Sequence, residues 1–232
     1  MKSARAFGFP MLVFWLVLLP SCRYIRWAKK QLPQASPLTC QIEETEAHIR
    51  SLRIYDQFDT IAHFDILWLS NEVRCQYAKL YAVKHGLCAQ RYEEFERRQL
   101  EENSYFVSFY VLASMPSWCR TSLADPHSEW SLFMRINDAI HHPVQIKQIE
   151  NLPQEYALFF GPRFNKFKQI YCVKFDAVGC IGNCLFDKST NVIELWLSTT
   201  TLVGAVRWYL AEDGRVLYDC KKERNMLAYD LK

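Results

Sequence analysis

After Asn103 the hydrophobic pattern of this chain changes from a helical period to a period of two, and that change constrains the fold more than any other feature. Trp130, Leu132, Met134 and Ile136 alternate with Ser131, Phe133 and Arg135, as in a strand with one face in a core. Tyr105–Leu112, Val144–Ile149, Gln169–Phe175, Val192–Ser198 and Val203–Leu210 alternate in the same way. Glu212-Asp213-Gly214 then turns the chain into Arg215–Tyr218 as a hairpin. Seven short strands without long helices between them predict an antiparallel β-sandwich or open barrel over residues 104–232.

Upstream, Phe58, Ala62, Ile66, Leu69, Val73, Tyr77 and Leu80 recur at steps of three and four, which predicts a helix packed along one face. Asp56 or Asp59 would cap it, and His85-Gly86 would stop it. A second helix is expected from Cys88 to Glu102, with Tyr92 and Phe95 inward and Glu93–Arg97 and Glu94–Arg98 as i,i+4 pairs. Glu46–Tyr55 fits neither period cleanly and is read as a strand ending at Tyr55-Asp56. The expected fold class is therefore α+β. Residues 42–103 would form a helical hairpin packed on a seven-stranded sandwich of residues 104–232.

Half of the residues are hydrophobic and 15% are aromatic, enough for one well-filled core and contrary to disorder. The net charge is only +3, and it falls to +1 if residues 1–21, with Lys2 and Arg5, are removed. That balance argues against a nucleic-acid partner, which needs a large basic face. Much of the remaining basic excess is Arg23, Arg26, Lys29 and Lys30, a cluster suited either to anionic lipid or to a solvated linker.

The N-terminus carries Lys2 and Arg5, then an apolar run from Phe7 to Leu19, then Leu19-Pro20-Ser21-Cys22. A basic segment, a short apolar core and a small residue before a cut are the parts of an export signal. At 13 residues the run is shorter than the roughly 20 that span a bilayer. Leu19, Ser21 and Cys22 resemble the lipobox of bacterial lipoproteins, with Pro20 a departure from its usual small or aliphatic residue. The resemblance implies a signal peptide at 1–21 and acylation of Cys22. It also implies a tether at 22–41, where Pro33 and Pro37 interrupt any helix, and a membrane-anchored location on the exported side of a cell envelope. Membrane lipid, reached through Cys22, is then one partner and an envelope protein a second. The expected role is binding or structural support.

With Cys22 acylated, eight of nine cysteines remain. Cys180 and Cys184 are the best-spaced local pair for a disulfide. Together with Cys172 they lack the second close Cys/His pair of a structural zinc site, and no metal or cofactor is expected. Common nucleophile, phosphate-loop, dinucleotide and zinc-protease motifs are missing. On the expected helix, Asp59 and His63 would stand one turn apart, able to orient an imidazole or hold a metal. A hydrolase or metal-dependent enzyme using that pair is the alternative function. His127, His141 and His142 read as turn or loop residues. Phe159, Phe160, Arg163, Phe164 and Phe167 form an aromatic, basic loop. Exposed, it would dock a partner or lipid; buried, it would plug one end of the sandwich, leaving Arg163, Lys166 and Lys168 solvated.

Overall fold

A computed structural model of the chain describes residues 45–56, 59–115, 122–178, 185–186, 190–211, 215–217 and 229–230. Strands dominate. A hairpin of β1 (Ile49–Asp56) and β2 (Asp59–Trp68) leads into helices α1 (Asn71–His85) and α2 (Ala89–Tyr105). Next come β3 (Phe106–Ser114), β4 (Ser131–Ile136), β5 (Ala139–His141), β6 (Gln145–Ile149) and the short helix α3 (Gln154–Phe160). The chain continues through β7 (Gln169–Asp176), β8 (Val192–Ser198), β9 (Leu202–Leu210), β10 (Val216–Leu217) and β11 (Tyr229–Asp230). One antiparallel sheet has the order β1-β2-β3-β7-β6, and a second runs β10-β9-β8-β4-β5 with β11 also on β9.

The expected helix from Phe58 is wrong over its first half, because residues 59–68 form β2. Ala62 and Ile66, four apart, satisfy both periods. Phe64 and Trp68, off the helical stripe, belong with them on one strand face. Leu67 on the opposite face is also fully buried, against Val73, Leu80, Phe159 and Phe160 of the helices. A strand covered on both sides loses its polar alternation and reads as a continuous apolar run. The helix starts instead at Ser70, whose Oγ accepts a hydrogen bond from the Val73 amide at 3.3 Å. It stops at Gly86, in the left-handed conformation at φ 59° that a Cβ would disfavour.

Residues 42–103 are therefore not a separate helical region. β2 pairs with β3 from His63↔Ser114 to Trp68↔Phe109, so the expected division at 103/104 runs through one sheet. The chain divides instead after Cys40, with Gln41–Lys232 as one unit. The seven strands expected downstream of Asn103 are present, and two are added: β11, and β5, which follows β4 through a two-residue turn. That turn holds Asn137 at φ 47° and Asp138 at φ 67°, the left-handed geometry that joins tightly paired strands.

The main core lies against both sheets. It combines Leu52, Ile54, Phe64, Phe109, Tyr171 and Phe175 of the first sheet with Met134, Leu195, Val206 and Trp208 of the second. Two hydrogen bonds fasten the start of the hairpin to β9: Arg50 Nε donates to the Arg207 carbonyl and Trp208 Nε1 to the His48 carbonyl, both at 3.0 Å. Gly204 allows the close approach there, since a Cβ on it would meet Leu52 Cδ1 at 2.9 Å. A second cluster covers the other face of the first sheet, where Leu67, Leu112 and Ile170 meet α1 and α3.

Candidate functional site

The outer face of the first sheet carries a polar cluster centred on Asp65. β-Alternation sends Phe64 and Ile66 into the main core and Asp65 to the opposite face, beside Ser51 on β1 and Leu112 on β3. Asp65 has 0% exposure, so its charge needs partners. Ser51 Oγ donates to Oδ1 at 2.5 Å, Lys168 Nζ to Oδ2 at 2.5 Å, and His63 Nε2 lies 3.3 Å from Oδ1. Burial pushes the Asp65 pKa up; the donors from His63, Lys168 and Ser51 outweigh it and hold the carboxyl at about 2.

One step along the same face, Arg53, His63 and Ser114 stand abreast on β1, β2 and β3. Register fixes a fourth member. Ile54 pairs with Ala62 and Tyr55 with Thr60, leaving Ile61 as an extra residue in β2. Ile61 and Ala62 both pack toward the main core, so the bulge re-aims Thr60 to the His63 face. Arg53, Thr60, His63, Ser114 and Met115 line an open cleft of about 450 Å³.

Asp59 and His63 are not brought together. On a strand, four residues span about 13 Å, not one helical turn, and Asp59 sits beside Asp56 at the hairpin end. The carboxylate that meets His63 is Asp65, two residues on. The sequence does carry a signal for it, a lone acid inside Phe64-Asp65-Ile66-Leu67-Trp68, and a buried acid is rare unless paired. Nothing local marks Lys168, its partner 103 positions away.

The aromatic loop divides. Phe159 and Phe160 are buried and Phe164 is partly buried against the second cluster. Arg163 pairs with Glu46 at 3.2 Å. Lys168, expected in solvent, has a side chain only 13% exposed because it reaches Asp65. Phe167 is 82% exposed. A tight turn produces this contrast between neighbours: Asn165 Oδ1 accepts from the Phe167 amide and the Asn165 carbonyl from the Lys168 amide, both at 3.0 Å. The Lys166 ammonium stands 5.4 Å from the centre of the Phe167 ring.

Two further ionic clusters were not apparent from the sequence. Glu194, on the outer face of the second sheet, accepts from Arg207 Nε and from Arg135 Nε at 2.9 Å. Buried Arg74 of α1 donates to Asn103 at 2.6 Å and to Glu102 at 2.9 Å. His127 lies in a loop, its amide donating to Asp125 at 2.8 Å, and burial lowers the His141 pKa on β5. Among the described residues Cys75, Cys88 and Cys172 are free thiols, and no three His, Cys, Asp or Glu side chains are grouped to hold a metal. Cys22, Cys180 and Cys184 lie outside the described residues. Among the described residues, no helix is long and apolar enough to cross a membrane.

No protein-family model and no curated protein matches this chain. A solved structure that does is a novel protein of unknown function from Burkholderia pseudomallei K96243, 10% identical, at a TM-score of 0.34. The match covers 75% of this chain and 83% of that one. A likeness that distant says nothing about the site.

Proposed function

We propose that the protein is a lipid-anchored component of a bacterial cell envelope with a binding role, held by an acylated Cys22 and a tether over residues 22–41. Its folded body is a β-sandwich made by the two sheets across their shared core, with α1 and α2 as a helical hairpin packed on one of them. Pro33 and Pro37, which interrupt any helix, support the tether. The observation that carries the binding role is the braced turn at Phe167. An aromatic ring 82% exposed, beside a residue locked into a buried ion pair, is apolar surface presented in a fixed place. The occupant is the bilayer that holds Cys22: the ring supplies an apolar contact and Lys166 a charge for anionic headgroups. Because the tether already keeps the body close, one weak contact suffices. The hydrolase or metal-enzyme alternative on Asp59 and His63 has less support, since β2 holds those side chains apart.

Fatty-acid labelling of the wild type beside Cys22→Ala, followed by membrane fractionation, tests the anchor. Label and membrane retention are expected in the wild type and lost in Cys22→Ala; equal labelling in both refutes it.

A further inference from the structure

We infer that the cleft formed by Arg53, Thr60, His63 and Ser114 is a binding site for a tetrahedral oxyanion such as a phosphate group. The inference does not depend on the lipid anchor. Three adjacent strands bring a guanidinium, an imidazole and two hydroxyls around one opening of about 450 Å³. The fourth donor is there only because the Ile61 bulge turns Thr60 outward, and bulges of this kind re-aim side chains beside sites. Arg53 lines the cleft, and its guanidinium offers a planar fork of donors matched to an oxyanion.

Charge favours an anion in this cleft. The groups facing His63 are Arg53 from β1, Asp65 from its own strand, Ser114 from β3 and Lys168 from the turn before β7. Asp65 is the one carboxylate among them. It is buried and engaged by Lys168, Ser51 and His63, which offsets its repulsion of an incoming anion. Asp56 and Asp59 pair one step beyond Thr60, where alternation sends them to the other face.

An oxyanion suits these donors: its oxygens accept from the Arg53 guanidinium and from the Thr60 and Ser114 hydroxyls, while Asp65, 3.3 Å from His63 Nε2, orients the imidazole beside them.

The test is titration of the purified full chain in detergent with inorganic phosphate at neutral pH, where binding is expected. Arg53→Gln, at an exposed position, is expected to weaken phosphate by about tenfold or more, and Ser114→Ala and Thr60→Val by about threefold each. Arg97→Gln, an exposed cation on α2, should change nothing. Tighter binding of a short-chain phosphatidate than of inorganic phosphate, lost in Arg53→Gln, would identify a lipid headgroup as the source, and equal affinity a soluble phosphate compound. Failure of wild type to bind phosphate overturns the inference. So does an equal loss in Arg97→Gln and Arg53→Gln.

Discussion

Replacing Asp65 by Asn keeps the side chain's shape and removes its charge, which isolates what the buried carboxylate contributes. In the native cluster one oxygen takes the Lys168 ammonium and the other takes Ser51 and lies beside His63. In Asp65→Asn the ammonium, only 13% exposed, keeps its desolvation and loses its counter-charge. Removing one member of a buried pair costs about 3–5 kcal/mol. Urea unfolding at neutral pH should show a lower midpoint at unchanged slope. Acid offers a second reading of the same charge. The folded pKa of Asp65, about 2, lies below its ordinary 3.8, so between those values the unfolded chain binds the extra proton. Stability is therefore complete above pH 3.8 and declines as pH falls toward 2, by about 2 kcal/mol for this one group. Asp65→Asn should lack that portion of the acid loss. The double variant Asp65→Leu with Lys168→Met, apolar in both places, should recover most of the neutral-pH stability. A loss under about 1 kcal/mol in Asp65→Asn, or an undiminished acid loss, would refute the account.

His48 supplies a separate window at milder pH. Burial lowers its pKa from 6.5 to about 4, against a raising effect of Glu72, so stability should fall as pH drops through that interval, by up to about 3 kcal/mol. Ring resonances of His48 that titrate near 6.5 would contradict it. At Gly204, an added Cβ runs into Leu52 and Ile54, both buried, so Gly204→Ala should cost about 1–3 kcal/mol by thermal or urea unfolding. A variant as stable as wild type would show that the two strands separate freely there.

The strands of the second sheet were legible because the helices leave their outer face uncovered. Val192–Ser198 alternates cleanly and is β8 to the residue. β2 was not, because α1 and α3 cover the face that a solvated strand would mark with polar residues. Ser70 was a helix-start signal in plain view, yet the false stripe ran straight through it. The short β5 was readable too, from Asn137-Asp138, a pair that tolerates the left-handed turn. For the site, Arg53 and His63 lie in one hairpin, but no local pattern places Ser114 across from His63 or Lys168 beneath it. A bulge depends on register, and register is set by partners the chain has yet to meet. Thr60 could not be assigned to a face from its own neighbours.

The hydrogen bonds between the first hairpin and β9 also bear on how the chain reaches its native state. Arg50 waits for a carbonyl 157 positions later, and the His48 carbonyl waits for an indole 160 positions later. Closing loops of that length comes late and slowly, since their entropy is lost before the contacts repay it. β7, meanwhile, pairs with its predecessor β6 on one side and must also find β3, made some 60 residues earlier, on the other. Until synthesis has passed Trp208, the apolar face of β1 and β2 lacks the part of its cover that β9 supplies, and an early-made hairpin stays exposed to wrong pairings. A chain of this topology completes itself from its last third backward, and a shortfall at the C-terminal end is felt first at the N-terminal strands.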